Sequence, residues 1–367
     1  MKVGTTKELL LNAIIIAERI AGRKESLPVL SCVYFDADKT LTLQSTNLEA
    51  GIKVGIASDV EDKGVVAVPA SILSQTIRSI GNEKVILKTE DGNLLVESRG
   101  TKTLIKAVPH EEFPTLPESG KQRGVSLSRE KFLRGLQSTL YAASSSMIRP
   151  ELGSIFVSIK QSGVVFVATD SFRLAEKTVV GAAGKDDGEI LIPLKHANEL
   201  AYILERLMED TVELAVEDSQ LVLTSGEVRF VSRTVDAQFP AYKEIVPKSK
   251  DFATEATVLK ADFAEMLKKA RVFAGAEQHV GLHIYPKKKI FSATARSSDV
   301  GEMSDSIDAA ISGEDLDINF HIGYLGDCLS SIESDSITLS FAGVGRPLVI
   351  KGVSDASFLY LVMPLNR

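Results

Sequence analysis

Val165-Phe166-Val167-Ala168-Thr169 is a short run of β-branched and aromatic residues, which is typical of a buried strand. Runs of the same kind occur at residues 41–46 and 290–294. Around each run the same signals appear in the same order: a helix, β-rich segments, a second helix and a hairpin. A chain that repeats one such unit is built from copies of one domain. The sequence therefore predicts three similar domains.

Each repeat ends on a proline that follows an apolar residue. Pro114, Pro240 and Pro364 are separated by 126 and 124 positions, a spacing close to the length of one small domain. Polar segments with residues that break helices and strands, at 115–124 and 247–254, mark the joints. We predict that the three domains span residues 1–119, 124–247 and 252–367.

Each repeat opens with an apolar stripe at helical spacing, and two β-rich runs separate it from a second amphipathic segment. A basic residue precedes each first stripe, at Lys7, Arg129 and Lys260, as expected of an ordinary solvated helix face. The predicted fold class is α+β, with both helices of a domain on one face of antiparallel sheet. The predicted helices are 5–20, 70–80, 128–141, 195–207, 260–271 and 321–333.

Composition indicates a soluble globular protein. The chain has 367 residues and a net charge of −7, which on its own argues against a nucleic-acid binder. The longest apolar stretch near the start, residues 13–17, is too short for a membrane span, and the charged residues Lys7, Glu8, Glu18 and Arg19 on either side argue against a signal-peptide core. Two cysteines, Cys32 and Cys328, offer no disulfide framework and favour a reducing, cytoplasmic location.

Motifs of catalysis are missing from the sequence. No nucleophile elbow, phosphate-binding loop or C-x-x-C motif occurs, and the glycines at 181–185 indicate a loop tip. His279 and His283 would share one strand face but have no carboxylates close in sequence. The three serines at 144–146 have no adjacent base, and Asp170 has no acidic counterpart in the other repeats. We expect no catalytic site, no cofactor and no metal.

Residues 168–175 read Ala-Thr-Asp-Ser-Phe-Arg-Leu-Ala. Together with Asp-Ala-Gln-Phe-Pro-Ala-Tyr at 236–242 and Val-Met-Pro-Leu at 362–365, this stretch resembles the bacterial DNA polymerase III beta sliding clamp family. Leu-Pro-Val-Leu at 27–30 and Thr-Asn-Leu-Glu at 46–49 match the same family. The resemblance covers the whole chain, in order, at the usual length of the family.

The resemblance implies a non-catalytic processivity factor that encircles double-stranded DNA and slides along it independently of sequence. It implies a head-to-tail homodimer, a closed ring of six domains with helices lining the hole and sheets on the outside. The implied partners are a clamp loader, the replicative polymerase catalytic subunit, repair polymerases and mismatch-repair proteins, which bind a peptide pocket between domains 2 and 3. It implies no membrane partner.

Charge distribution fits that implication. The six predicted helices carry 12 Lys or Arg and 9 Asp or Glu, so they are positive in an acidic chain. A weakly positive lining attracts phosphates without sequence preference and permits sliding. An alternative is a divergent clamp copy that acts mainly as a hub for partner peptides. The intact basic helices favour the clamp.

The resemblance also implies two kinds of site residue. The DNA contacts are Arg23, Lys24, Arg149 and Lys195. The residues of the peptide pocket are Leu152, Thr169, Ser171, Phe172, Arg173, Leu174, Pro240, Ile245, Val246, His321, Tyr324, Met363, Pro364 and Leu365. Apolar side chains of this kind receive the hydrophobic anchor of an extended peptide.

The chain departs from the family pattern at two places. Phe172 stands where a histidine is common, and the end of the chain reads Leu365-Asn366-Arg367 where an arginine and an apolar residue are frequent. We therefore expect the pocket to persist with a changed rim and a changed ranking of partner peptides.

Overall fold

The computed structural model describes residues 1–22, 27–116, 125–160, 162–181, 188–217 and 219–365. Most of the predicted joint at 115–124, most of the predicted loop at 181–185 and the last two residues lie outside these ranges. The chain divides into two compact units, Met1–Leu133 with Ala182–Thr234, and Arg134–Gly181 with Val235–Arg367. The middle repeat contributes strands to both units.

Helices and strands recur in the same order three times. The first repeat contains β1 Lys2–Thr6, α1 Lys7–Ile20, β2 Cys32–Ala37, β3 Leu41–Thr46, β4 Ala50–Ile56, β5 Asp59–Asp62, β6 Gly64–Pro69, α2 Ala70–Ser79, β7 Lys84–Glu90, β8 Asn93–Ser98 and β9 Thr101–Ile105. The second contains β10 Val125–Ser128, α3 Arg129–Gln137, β11 Ser154–Lys160, β12 Gly163–Thr169, β13 Arg173–Val179, β14 Gly188–Pro193, α4 Leu194–Leu204, β15 Thr211–Glu217, β16 Gln220–Ser225 and β17 Val228–Arg233. The third contains β18 Thr254–Leu259, α5 Lys260–Phe273, β19 His279–Tyr285, β20 Ile290–Ser297, β21 Gly301–Ile307, β22 Ala309–Gly313, β23 Leu316–His321, α6 Ile322–Asp327, β24 Ser336–Phe341, β25 Leu348–Gly352 and β26 Phe358–Val362.

Two antiparallel sheets form the first unit. One has the strand order β5-β1-β7-β8-β9, and the other has the order β10-β15-β16-β17-β4-β3-β2-β6. The β17–β4 pair joins the second repeat to the first, with Phe230 opposite Ile52. Both of these side chains are fully buried, so the core of the first unit continues across this joint.

Two sheets are also found in the second unit. One contains the order β11-β12-β13-β26-β25-β24-β18-β22, and the other has the order β21-β20-β19-β23. The β13–β26 pair joins the second repeat to the third, with Ala175 opposite Tyr360. These two side chains are again fully buried. The two joints are thus built in the same way.

The apolar stripes predicted for the first helices are buried. Leu10, Ala13, Ile14 and Ala17 of α1 lie in the core, and α5 buries its own stripe of Phe263, Met266, Leu267 and Ala270. Helix α1 packs against α2, β3 and β4. Burial of one apolar stripe is the main source of stability for a helix of this length.

Three helices end at least three residues before their predicted ends, and the strands are more numerous; α4 ends at Leu204 instead of 207. Helix α3 ends at Gln137 because the Thr139 hydroxyl donates to the carbonyl groups of Gly135 and Leu136, which competes with backbone bonding. Helix α6 ends at Asp327 and continues as a 3-10 turn over Cys328–Ser331. In the first and third repeats five strands, rather than two β-rich runs, separate the helices. No helix among the described residues is long and apolar enough to cross a membrane.

The basic residue at the start of each first helix reaches back to the end of the second helix. Lys7 Nζ donates to the carbonyl of Ile80, Arg129 Nη1 to that of Leu204 at 2.9 Å, and Lys260 Nζ to that of Ile332 at 2.7 Å. A cation there satisfies carbonyl groups that a helix end leaves unpaired. The interpretation of these residues as a solvated face is therefore wrong, since they cap a helix in every repeat.

Candidate functional site

Residues 169–173, which are part of the motif at 168–175, form a tight turn after β12. Thr169 Oγ1 donates to the Arg173 carbonyl at 2.7 Å and accepts from Ser171 N at 3.1 Å. Asp170 Oδ1 accepts the N–H groups of Phe172 and Arg173, both at 2.9 Å. Ser171 has a left-handed φ of 78°, which a non-glycine residue keeps only where its surroundings enforce it. The turn is thus fixed by its own side chains.

Arg173 connects this turn to α6. Its Nε donates to Asp170 Oδ2 at 2.9 Å, and its Nη1 donates to Asp327 Oδ2. The guanidinium carbon lies 4.4 Å from the centroid of the Tyr324 ring, which is a cation-π distance. The Arg173 side chain is only 13% exposed. Arg173 is therefore a fixed link with satisfied hydrogen bonds rather than a free surface cation.

His321 and Tyr324 present uncharged rings beside Arg173. The two ring centroids are 4.3 Å apart, and His321 Nδ1 accepts the backbone N–H of Tyr324 at 3.4 Å. Burial, followed by the charge of Arg173, lowers the pKa of His321. Burial, followed by the charge of Asp170, raises the pKa of Tyr324. Both rings are therefore neutral at neutral pH.

An apolar cluster in the same unit supplies a surface for a hydrophobic anchor. Its buried members are Val167, Leu174, Tyr242 and Leu361. Partly buried residues pack around them: Phe156, Val165, Phe239, Val246, Leu359 and Met363. Phe239 stacks on Phe156 with ring centroids 5.0 Å apart. A surface that is apolar, partly open and supported by a buried base is the usual receptor for a hydrophobic side chain of a peptide.

The end of the chain is held at both sides of this region. Met363 N donates to the Phe172 carbonyl at 2.7 Å, which continues the β13–β26 ladder by one residue. Leu365 N donates to the Asn319 carbonyl on β23 at 2.8 Å. Met363, Pro364 and Leu365 are consequently positioned by backbone bonds to two different strands.

All fourteen predicted pocket residues belong to the second unit, but they are brought together to different degrees. Leu174, Val246 and Met363 pack in one cluster. Leu174 is buried in its base, whereas Val246 and Met363 are partly buried and therefore belong to both the core and the surface. Ile245 is 60% exposed. The backbone N–H of Tyr242 bonds to the Pro240 carbonyl, and that of Ile245 bonds to the Tyr242 carbonyl. Leu152 is buried, and its N–H bonds to the Arg149 carbonyl at 3.0 Å.

Sequence reasoning missed three residues of this region. The sequence suggests Asp170 only as a candidate catalytic carboxylate, whereas in the structure it accepts hydrogen bonds from two backbone N–H groups and from Arg173. An aspartate followed by a tight turn is a recognisable signal for such capping. Asp327 has no local signal, because its partner Arg173 is distant in the sequence. Tyr242 ends the motif at 236–242, but that motif does not reveal its hydrogen bond to Glu176, which is 66 positions away.

The predicted DNA contacts are described in part. Arg149 is exposed and forms an ion pair with Glu151, with Nε 2.9 Å from Oε1. Lys195 is exposed in the first turn of α4. Arg23 and Lys24 lie outside the described residues. Cations exposed in this way can approach phosphates without first breaking a buried contact.

The two histidines of β19 have separate partners. His283 Nδ1 is hydrogen-bonded to Asp317 of β23, and its Nε2 lies 2.8 Å from Thr294 Oγ1. His279 is near Glu277, with Nδ1 3.4 Å from Oε2, so the expectation that no carboxylate lies close in sequence is wrong for His279. In the part of the chain that the structure describes, no group of three or more His, Cys, Asp or Glu residues is placed to hold a metal ion.

Comparison with known proteins places this geometry in a family. Relatives called beta sliding clamp include those of Streptococcus pneumoniae, 27% identical with 98% of each chain covered, and Synechococcus elongatus, 26% identical with 100% of this chain and 99% of the relative covered. The crystal structure of the DNA polymerase III beta subunit of Thermotoga maritima matches with a TM-score of 0.94 and 25% identity, covering 100% of this chain and 99% of that one.

Family models match nearly the whole chain. They describe the N-terminal, central and C-terminal domains of the DNA polymerase III beta subunit, and they match residues 1–117, 126–241 and 243–366. The threefold repeat of elements and the sequence motifs agree with this result. The chain therefore belongs to the DNA polymerase III beta subunit family.

Proposed function

We propose that this protein is a sliding clamp, a non-catalytic processivity factor that encloses double-stranded DNA as a head-to-tail homodimer. Each copy contributes three domains, at 1–119, 124–247 and 252–367, with helices toward the DNA and sheets outside. Exposed Arg149 and Lys195, together with Arg23 and Lys24, contact phosphates. Such contacts give attraction without sequence preference, as sliding requires.

Strand pairing between the repeats is the observation that supports the ring. Two such pairs form within the chain, and the two strands that would form a third pair each have one free edge among the described residues. The last strand of one repeat pairs with an outer strand of another, as β17 with β4 and β26 with β13. The corresponding remaining strands are β9 and β21. Among the described residues β9 pairs with β8 alone and β21 with β20 alone. A second copy can supply the missing neighbour of each, and the contact is heterologous and closes.

The repeat also predicts the register of this contact. Val228 of β17 and Thr101 of β9 are equivalent, because each lies opposite the serine that ends the preceding strand, Ser225 and Ser98 respectively. Counted from these positions, Leu104 is equivalent to Val231. In the outer strands Gly51, Leu174 and Ser304 are equivalent, because they lie opposite the equivalent threonines Thr46, Thr169 and Thr294. The opposed pairs are Val231 with Gly51, Leu361 with Leu174 and, between copies, Leu104 with Ser304.

Partner proteins bind the pocket through short extended segments. An apolar anchor packs on Val246 and Met363 above the buried Leu174, while Thr169, Ser171, Arg173, His321 and Tyr324 form the polar edge of the pocket. The clamp loader, the polymerase catalytic subunit, repair polymerases and mismatch-repair proteins compete for it. The protein acts in a reducing cytoplasm, consistent with the free, buried thiols of Cys32 and Cys328.

Covalent closure of the ring tests this function. Leu104→Cys combined with Ser304→Cys is expected to form two disulfides per dimer on oxidation, because both positions are on exposed strand surface and the register opposes them. The ring is loaded first and then oxidised. It should then remain on circular DNA and leave the same DNA once that DNA is linearised. The matched control, Leu104→Cys with Ser312→Cys, should not cross-link. Equal loss from circular and linear DNA would contradict the proposal.

A further inference from the structure

The turn after β3 has the same hydrogen bonds as the turn after β12. Thr46 Oγ1 donates to the Ala50 carbonyl at 2.9 Å and accepts from Leu48 N at 3.0 Å. Asn47 Oδ1 accepts two backbone N–H groups, the nearer from Ala50 at 2.7 Å. Leu48 has a left-handed φ of 72°, as has its counterpart in the second repeat. Ala50 therefore stands where the second repeat has Arg173.

The helices beside the two turns also correspond. Each begins directly after a strand, α4 after β14 and α6 after β23. Counted from these starts, the third residue is His196 in α4 and Tyr324 in α6. The sixth residue is Glu199 in α4 and Asp327 in α6. In the second unit the Arg173 guanidinium donates to Asp327 and lies over the Tyr324 ring. The first unit thus has counterparts of both groups, but an alanine in place of the arginine.

Two buried atoms of this region lack the donor that an arginine would supply. Glu199 is 6% exposed, and its Oε2 has no hydrogen-bond partner among the described residues. His196 is 2% exposed, and within the same ranges its Nε2 has none either. The Ser232 hydroxyl donates to the Arg233 carbonyl at 3.0 Å, so it accepts from His196 Nδ1 at 2.8 Å and leaves Nε2 as an acceptor. Buried polar atoms without a partner are uncommon, because their desolvation is not compensated.

Nearby cations do not satisfy these two atoms. The guanidinium carbon of Arg19 lies 5.0 Å from the centroid of the Tyr202 ring, and Lys195 is exposed. Neither of them donates a hydrogen bond to the carboxyl oxygen. Glu49 Oε2 lies 3.6 Å from the unpaired imidazole nitrogen, so a third acceptor faces the same place. A guanidinium group has five N–H donors and no acceptor, and it can therefore satisfy several such atoms at once.

We propose that the first unit contains a binding site for the guanidinium group of an arginine side chain from a partner protein. Glu199 Oε2 and His196 Nε2 accept its hydrogen bonds, and the ligand approaches from solvent along the exposed Glu49. The site is separate from the proposed peptide pocket, whose residues all belong to the second unit. The proposal goes beyond the clamp function and does not depend on it.

A titration with N-acetyl-arginine methylamide tests the site in the full-length protein, by saturation-transfer difference NMR. The citrulline derivative has the same shape without the charge and should bind at least about tenfold more weakly, since hydrogen bonds between charged groups are the stronger ones. Glu199→Gln should weaken the arginine derivative at least about tenfold for the same reason. The half-exposed Glu205→Gln is the control and should leave its affinity unchanged. Absence of saturable binding, equal binding of the citrulline derivative, or unchanged affinity in Glu199→Gln would each overturn the proposal.

The affinity should also depend on pH. Burial raises the pKa of Glu199 to about 7. The positive charges of Lys195 and Arg19 oppose this shift, and Glu49 adds to it. Burial lowers the pKa of His196, so its ring is neutral at neutral pH. Binding of the arginine derivative should therefore strengthen about fourfold from pH 6.5 to pH 8, as the carboxyl group ionises. An affinity that does not change with pH would contradict the role of Glu199.

Ala50→Arg locates the site. The variant gives the turn its own guanidinium, as the second repeat has in Arg173, and this side chain should occupy the acceptors. The folded variant, checked by circular dichroism, should no longer bind the arginine derivative. Unchanged binding by the folded variant would overturn the assignment to this turn. If Ala50→Arg does not fold, the Glu199→Gln titration decides by itself.

Discussion

Glu199 on α4 is a buried carboxyl group without a full set of partners. Its side chain is 6% exposed, and Oε2 has no hydrogen-bond partner among the described residues. Burial raises the pKa of Glu199 to about 7, although the charges of Lys195 and Arg19 oppose the shift. The folded state therefore holds a proton on Glu199 that the unfolded chain releases at lower pH.

This proton makes stability depend on pH. Because the folded pKa is raised from 4.5 to about 7, stability should fall as pH rises between these values, by about 3 kcal/mol in total, and stay level above. Glu199→Gln should remove this fall and exceed the unchanged protein in stability at pH 8. Urea unfolding at pH 5 and pH 8 measures it, with the half-exposed Glu205→Gln as control. The same slope in Glu199→Gln would refute the assignment.

Helix α3 packs on β12 through a residue without a side chain. An added Cβ at Gly135 would lie 2.3 Å from Phe166 Cε2, and Phe166 is fully buried. Glycine in a helix costs about 1 kcal/mol relative to alanine. The close approach to the Phe166 ring explains why glycine stands there nevertheless.

Paired substitutions separate packing from helix propensity. Gly135→Ala should lower the free energy of unfolding by about 1–3 kcal/mol, because the ring or the helix must move. Gly326→Ala in α6 meets nothing within 4 Å and should raise it by about 0.5–1 kcal/mol. Chemical denaturation of both variants compares them. If the two variants were equally stable, the contact with Phe166 would not be the reason that position 135 requires glycine.

The helix caps show what an element's sequence leaves open. Lys7, Arg129 and Lys260 were recognisable as equivalent from their place before each stripe. Their acceptors, the carbonyls at Ile80, Leu204 and Ile332, lie at the ends of other helices. A local pattern cannot reveal them, because the distance between two helix ends depends on how the helices pack.

At the scale of the whole molecule, the charge of the chain favours only a weak attraction to DNA. The chain has a net charge of −7, and three of the helix cations are engaged at carbonyl groups. The electrostatic attraction is therefore modest. The topological link of the proposed ring would hold the DNA without tight contacts, which would slow sliding.

Salt distinguishes a topological link from an electrostatic one. The oxidised ring closed through Leu104→Cys and Ser304→Cys should stay on circular DNA when salt is raised from about 50 to about 200 mM, with retention changing less than about twofold. A protein held by several phosphate contacts loses about a thousandfold in affinity over this range. Gel filtration of preloaded circles measures retention. A steep loss with salt would contradict encirclement, and a peptide hub without a clamp role would not be retained at either concentration.

The sequence by itself determined the threefold repeat, the apolar faces of α1 and α5 and the motif at residues 168–175. These are local periodicities and short patterns, which any stretch of chain displays before it folds. Only the tertiary structure decided that Asp327 meets Arg173 across 154 positions, that Glu199 is buried and that β9 and β21 have no second neighbouring strand among the described residues. Partnership, burial and strand order depend on how distant segments pack, and no local pattern contains that information.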